Sequence, residues 1–318
     1  MIKVLVTGAA GFIGFHLAKS LLADGYEVLG IDNINNYYDP SLKLARLNKL
    51  HPYQNFSFKK VDIANREELA SACKSFGPKK VVHLAAQAGV RYSIENPYAY
   101  LDANLTGFIN ILELCRHNGV EGLIYASSSS VYGGNTKIPF STDDKTDSPI
   151  ALYGATKKAN ELMAHSYSHL YGLHTTGLRY FTVYGPWGRP DMAMFLFTDK
   201  ILKGETIPVY NNGNMKRDFT YIDDIISGTR SAMESNYPCE VFNLGNHKSE
   251  NLMDMIGLIE HSLGLKAKID FQPLQPGDVP ESFADIDLST EMLSYRPATD
   301  INEGIPQFIE WYKNYYKI

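Results

Sequence analysis

Through the first half of the chain, short apolar runs alternate with longer stretches in which apolar residues recur every three or four positions. That alternation is the pattern of a parallel sheet covered by helices. The runs predict strands over Lys3–Thr7, Glu27–Ile31, Phe56–Val61, Lys80–Leu84, Gly122–Ala126 and His174–Leu178. Several are apolar throughout, as strands buried on both faces should be. Helix starts are marked by Asp39 before Pro40, by Asn65 with Glu67 and Glu68 in the first turn, and by Asn96 before Pro97. After Tyr184 the texture changes, and Gly185–Pro190, Asn211–Asn214 and Gln272–Gly277 read as loops. Arg217–Ile225 and Val241–Leu244 again have the pattern of a buried strand-helix-strand passage. The expected architecture is α/β: a doubly wound parallel sheet over residues 1–183, rejoined by about 217–248, with a smaller domain from 184–216 and 249–318.

Composition narrows this picture. A chain of 318 residues, 44% of them apolar, is large enough for a full core in one or two domains. A net charge of −5, with no run of five or more like charges, offers no field for a polyanion, so nucleic acid is not an expected partner. Cys73, Cys115 and Cys239 are odd in number and far apart, without C-x-x-C or metal-ligand spacing. They read as reduced thiols in a cytoplasmic protein that binds no metal. The opening run from Met1 to Val6 breaks at Thr7-Gly8, and no stretch approaches the ~18 to 20 apolar residues of a membrane span. Neither a signal peptide nor a membrane association is expected.

Candidate chemistry begins at Thr7-Gly8-Ala9-Ala10-Gly11-Phe12-Ile13-Gly14, directly after the first strand and opening a helix. Glycines let backbone approach a ligand closely, and the N–H groups of Phe12, Ile13 and Gly14 at a helix start suit a pyrophosphate. The spacing G-x-x-G-x-x-G also suits a tight strand-helix turn with no ligand. Placement favours the cofactor loop: Asp32, followed by Asn33, ends the second strand, where a carboxylate accepts hydrogen bonds from an adenosine ribose and repels a 2′-phosphate. The implied cofactor is NAD rather than NADP. Asp62-Ile63 and Leu84-Ala85-Ala86 follow the third and fourth strands, at the carboxyl edge where open α/β sheets bind ligands. A turn or cap explains Asp62 equally well.

Ser127 to Ser130 follow the fifth strand, ahead of Val131-Tyr132-Gly133, and Tyr153 and Lys157 stand four apart in Ala151-Leu152-Tyr153-Gly154-Ala155-Thr156-Lys157. Positions four apart share a helix face, so the ammonium is expected near the phenol, favouring its ionised form. Alone, such a pair is ordinary half-buried packing, and serine runs are usually loop filler. In this order, with Gly8, Gly11, Gly14 and Asp32, the chain from Ile2 to about Trp311 resembles the extended short-chain dehydrogenase/reductase family of nucleotide-sugar epimerases, dehydratases and decarboxylases, whose fold is of the Rossmann type. The resemblance implies that Ser128 is the catalytic hydroxyl and Tyr153 the base on the sugar O4. It implies that Lys157 holds the nicotinamide ribose while lowering the tyrosine pKa, and that Tyr180 lies in the cofactor site. His83, Tyr132 and Asn104 are expected to be structural.

Within that family, dehydratases carry an Asp-Glu pair before Val-Tyr-Gly and decarboxylases usually Glu, whereas Ser129 and Ser130 stand here. Gln87–Ser93 with Arg91, Thr156–Glu161, and Arg179–Met192 resemble the group acting on UDP-glucuronate, which has Thr where Thr182 stands and UDP-galactose enzymes have Asn. The resemblance implies C4 epimerisation of UDP-glucuronate to UDP-galacturonate through a 4-keto sugar. Arg189, Thr182, Ser129 and Ser130 are the candidates to hold the C6 carboxylate; a solvent-exposed loop arginine is the alternative for Arg189. The 4-keto uronate is a β-keto acid, so that carboxylate must be held still. Arg217 matches the family's diphosphate contact, Asp278 in Gln275-Pro276-Gly277-Asp278 a position near the uridine ribose, and Pro208-Val209-Tyr210 the uracil wall. A surface ion pair at Arg217-Asp218 and a plain turn at Pro276–Asp278 are the alternatives. The resemblance further implies a homodimer packing the helices that carry Asn104 and Tyr153. The competing functions are the UDP-xylose-forming decarboxylase, an epimerase of a neutral or N-acetylated UDP-hexose, and a silent NAD-binding regulator.

Overall fold

The structure is a computed structural model that describes residues 1–275 and 277–318; Pro276 of the predicted turn lies outside the described residues. Six strands form where the apolar runs predict them: β1 (Lys3–Thr7), β2 (Glu27–Asp32), β3 (Phe56–Lys60), β4 (Lys80–His83), β5 (Gly122–Ser128) and β6 (Thr175–Tyr180). With Cys239–Leu244 they form one seven-stranded sheet, ordered Cys239–Leu244, β6, β5, β4, β1, β2, β3. Every pairing is parallel. The fold is therefore the Rossmann-type doubly wound sheet expected from the alternation.

Side chains along a strand point to opposite faces in turn, and in every strand named but the edge strand β3 both faces are largely buried. Val4 and Val6 join one core with Phe15, Leu17 and Leu21 of helix α1 (Phe12–Ala23). Leu5 between them joins a second core with Phe108, Ile111 and Leu112. Leu29 and Val28, Val81 and Val82, and Leu123 and Ile124 divide between the two cores in the same way. The helix starts follow the sequence signals. Asp39 accepts from the Ser41 amide at 2.8 Å to open α2 (Pro40–Leu50), and Asn65 and Asn96 accept from Glu68 and Ala99.

Two differences from expectation matter for the site. β5 runs two residues further than its apolar run, because Ser127 and Ser128 pair with Arg179 and Tyr180 of β6. The segment Leu101–Thr106 winds as a π-helix before the α-helix Gly107–His117. It brings Asn104 into the interior, where its side chain bonds the Gln87 backbone and Thr156. In the later part of the chain, Phe219–Tyr221 pairs with Thr182–Tyr184, and Lys216–Arg217 pairs with Glu250–Asn251 and Glu281–Ser282. The helix Ile301–Tyr316 shares the first core through Ile305, Phe308 and Tyr312.

At the end of β4, His83 pairs through Nδ1 with Thr7 Oγ1 at 2.8 Å. Burial, with a smaller contribution from the Lys157 charge, lowers its imidazole to about 3. The unfolded chain, with a histidine near 6.5, binds that proton first, so stability is complete above about pH 6.5 and is lost as pH falls towards 3. His83→Asn should flatten the dependence of unfolding free energy on pH between about 6 and 4 by about 1.4 kcal/mol per pH unit. Denaturant unfolding across that range tests this, and identical slopes for parent and variant would contradict it.

Candidate active site

The carboxyl ends of the parallel strands open on one cleft of ≈ 450 Å³. At its floor the glycine loop folds back on itself. Gly8 has φ +72°, and a Cβ on Gly14 would sit 2.1 Å from the Gly8 carbonyl oxygen, so neither position has room for a side chain. Gly11 precedes α1 in extended conformation and provides no side-chain cap, which leaves the first-turn amides of Phe12, Ile13 and Gly14 without a capping acceptor, and all three residues line the cleft. That donor set, at the positive end of the helix, fits a dinucleotide pyrophosphate.

Asp32 stands beside this loop, accepting from the Ala10 amide at 3.2 Å and the Ile34 amide at 2.8 Å. Burial pushes its carboxyl up, while those amides and the Lys43 and Arg46 charges pull it down. Asn33 donates to Asp62 at 2.9 Å, and Asp62 also caps its own turn by accepting from Ala64. Ile63, Leu84, Ala85 and Ala86 complete this wall.

Opposite the loop, the helix Leu152–Tyr171 carries Tyr153 and Lys157. The Lys157 ammonium donates to the Ala126 carbonyl of β5 at 2.9 Å, and burial lowers it to about 8. The phenol of Tyr153 differs from expectation. Burial pushes it above its ordinary value; the Ser128 hydroxyl and the Arg189 charge oppose this, and Asp191 adds to it. Desolvation of the anion outweighs the pull of nearby donors and charge. Ser128 Oγ in turn donates to Ser130 Oγ and accepts from the Ser130 amide, both at 3.2 Å, in the 3₁₀ turn Ser129–Tyr132.

Beneath that turn lies a buried polar network that spacing alone does not disclose. Glu161, one helical turn beyond Lys157, accepts from Ser127 Oγ at 2.7 Å and from Arg179 Nε and NH2 at 2.8 and 2.9 Å. Arg179 also donates to the Tyr132 hydroxyl, which donates to Asn243. The available signal was an arginine inside an otherwise uncharged strand, since a charge so placed needs a partner. Arg46, on helix α2, is a second buried arginine. Fully buried, it donates to the carbonyls of Ala10, Trp187 and Gly188 and to the Tyr38 hydroxyl, joining the glycine loop to the loop that carries Arg189.

The remaining candidates separate. Ser129, Ser130, Thr182, Arg189, Arg217 and Asp278 line the same cleft, as does Tyr180, whose hydroxyl is bonded to Thr229. Arg189 is paired with Asp191 through Nε at 3.0 Å and through NH2, and Tyr37 donates to the same carboxylate. Arg217 NH2 donates to Asp278 at 2.5 Å. Arg91 lies outside the cleft lining, exposed, with its guanidinium 4.6 Å from the Tyr210 ring. Val209 is fully buried in the core and does not reach the cleft. Among the described residues no group of three His, Cys, Asp or Glu side chains could hold a metal ion.

Residues 4–245 match the NAD dependent epimerase/dehydratase family. The chain is 52% identical to protein CapI of Staphylococcus aureus, across 99% of each chain. It is 48% identical to UDP-glucuronate 4-epimerase 4 of Arabidopsis thaliana, across 99% of this chain and 76% of that one. Among solved structures, UDP-glucuronic acid 4-epimerase from Bacillus cereus, in complex with UDP-glucuronic acid and NAD, superposes with a TM-score of 0.93 at 35% identity, across 99% of this chain and 100% of that one.

With its carboxylate removed, the ribose corner should lose its preference between dinucleotides. Asp32→Asn should lower the ratio of NADP to NAD dissociation constants at least about tenfold, because like-charge juxtaposition costs several kcal/mol. Fluorescence titration measures this; a ratio unchanged by the substitution, or a parent protein that prefers NADP, would contradict the role of Asp32.

Proposed function

This chain belongs to the NAD dependent epimerase/dehydratase family, and from that premise we propose that it interconverts UDP-glucuronate and UDP-galacturonate by inversion at C4. One observation carries the reading. The phenol of Tyr153 shares a cleft with the hydroxyls of Ser128, Ser129, Ser130 and Thr182 and with the guanidinium of Arg189, while the serine turn bears no carboxylate. Elimination of water needs a further acid and base there, and oxidation followed by reduction does not.

NAD, when bound, supplies the hydride acceptor and donor for C4. The chain's own residues do the rest in this reading. The Tyr153 phenolate takes the O4 proton, with the Ser128 hydroxyl holding O4. The ammonium of Lys157, fixed on Ala126, and the positive charge of the oxidised cofactor favour the phenolate that burial alone disfavours. Gly8–Gly14 and Asp32 hold the dinucleotide, with Asn33, Asp62, Ile63, Leu84, Ala85, Ala86 and Tyr180 around it. Arg217 holds the UDP diphosphate and Asp278 the uridine ribose. The C6 carboxylate falls to Ser129, Ser130, Thr182 and Arg189. We divide the chain accordingly into a cofactor-binding part, 1–183 with about 217–248, and a UDP-sugar part, 184–216 with 249–318.

A second reading has one observation in its favour. Arg189 already carries Asp191, and if that pair stays closed the C6 subsite presents only hydroxyls, which suits a neutral hexose. We further propose a homodimer formed on the helices bearing Asn104 and Tyr153, supported by the exposed apolar side chains of Tyr98, Leu101 and Leu162 along them. A cytoplasmic location is consistent with three cysteines that form no disulfide. No helix among the described residues is long and apolar enough to cross a membrane.

The direct test is to incubate the holoenzyme with UDP-glucuronate and follow the anomeric signals by proton NMR. UDP-galacturonate supports the proposal; UDP-pentose alone would replace it with the decarboxylase. Tyr153→Phe should bind NAD and UDP-sugar within about threefold of the parent yet turn over about 10²- to 10⁴-fold more slowly, the usual worth of a general base. Near-normal turnover would remove Tyr153 from the mechanism. Arg189→Ala should weaken UDP-glucuronate at least about tenfold more than UDP-glucose, as loss of a charge-assisted pair requires. Equal losses in calorimetric titrations would favour the neutral-sugar reading.

A further inference from the structure

The serine turn is held at both ends by one buried ion pair. At its start Ser127 donates to Glu161; at its end the Tyr132 hydroxyl accepts from Arg179 at 2.9 Å and donates to Asn243 at 2.6 Å. Glu161 and Arg179 close the circuit between them. Glu161 is 6% exposed, Arg179 4%, Ser127 2% and Tyr132 1%, so the brace is buried; the partly exposed Lys158 adds a longer contact to Glu161 at 3.5 Å. Asn243 is itself fixed by the Phe140 and Asp285 carbonyls that its amide meets. Between the two anchors stand Ser128, Ser129 and Ser130, all of which line the cleft.

A buried ion pair is a poor source of stability, because desolvation offsets most of the attraction; an apolar pair would hold helix and strand together as well. What charge adds here is direction. Two planar groups bonded twice to each other, and once to each end of the six-residue segment Ser127–Tyr132, leave that segment little freedom. Tyr132 also stacks on Phe140 with ring centroids 4.7 Å apart, which fixes the second anchor from its other face.

We propose that the Glu161–Arg179 pair is a positioning device that, by bracing Ser127 and Tyr132, holds the serine hydroxyls against the C6 carboxylate and sets the ratio of epimerisation to decarboxylation. This rests on the UDP-glucuronate reading above. After oxidation at C4 the sugar is a β-keto acid. In the side reaction the C5–C6 bond breaks, its electron pair moves into a C4–C5 enolate, and carbon dioxide leaves. A solvent proton then adds to C5, and the two electrons first taken from C4 reduce the ketopentose, so the net change is uptake of one proton and loss of one carbon dioxide. That cleavage requires the C5–C6 bond to stand perpendicular to the plane of the C4 carbonyl. Hydroxyls fixed around C6 keep the bond near that plane; a turn free to shift lets it rotate.

The test uses NAD-loaded enzyme and UDP-glucuronate labelled with carbon-13 at C6, reading labelled carbon dioxide and UDP-pentose against UDP-galacturonate in each turnover. Tyr132→Phe and Ser127→Ala each release one anchor while leaving the ion pair in place. Each should raise the pentose-to-galacturonate ratio about fivefold, the effect of one lost hydrogen bond, and together they should raise it further. Glu161→Gln should raise it most; where that variant does not fold, the two anchor variants carry the test. A merely structural brace would lower thermal stability and total turnover with the product ratio unchanged, and that result overturns the inference while leaving the epimerase reading intact. A parent enzyme that makes no UDP-galacturonate overturns both.

Discussion

The bond from the Lys157 ammonium to the Ala126 carbonyl is the constraint around which the rest of the site is arranged. A lysine with 2% of its surface exposed must keep its one strong acceptor, which fixes the helix Leu152–Tyr171 on the end of β5 in a single register. In that register three residues spaced one helical turn apart meet three consecutive residues of the strand. Tyr153 faces Ser128, Lys157 meets Ala126, and Glu161 takes the hydroxyl of Ser127. The neighbouring stripe of the same helix is fixed as firmly, since Thr156 and Asn160 bond the side chain and carbonyl of Asn104. The π-helical winding of Leu101–Thr106 is what delivers Asn104 to them.

Electrostatics across the cleft follow a second rule, that its cations are already partnered. Arg189 is held by Asp191 and Arg217 by Asp278. Such pairing lowers the cost of keeping guanidinium groups half-buried between turnovers. In the proposed reaction an anionic ligand then exchanges partners with the protein, the diphosphate competing with Asp278 and the uronate with Asp191. Selectivity for a carboxylate becomes a difference between two pairings of the same arginine.

Much of the fold was legible because its determinants are local. Apolar runs marked six strands, Asp39, Asn65 and Asn96 marked helix starts, and glycines marked a loop with no room for a side chain at Gly8 or Gly14. The Tyr153–Lys157 spacing and Asp32 at the end of β2 were legible for the same reason. What escaped depends on pairing between distant segments. Ser127 and Ser128 extend β5 only because β6 lies beside them, and Glu161 reads as an ordinary helix-surface acid until Arg179 is placed across from it. Asp191 carries no signal of its own until it is seen paired with Arg189. Arg91 and Val209 carried contacts implied by resemblance, yet one stacks on Tyr210 outside the cleft lining and the other is wholly within the core. Spacing also suggested an acidified phenol at Tyr153, whereas burial decides the balance in the protein alone.

In the proposed reaction C4 is the carbon that loses and regains its hydrogen within one closed site. The most direct measurement is NMR of the product formed by NAD-loaded enzyme from UDP-glucuronate carrying deuterium at C4. The expected product is UDP-galacturonate with the deuterium still on C4, in water, at full occupancy. Product that has exchanged its label for solvent hydrogen would contradict it, as would complete absence of conversion.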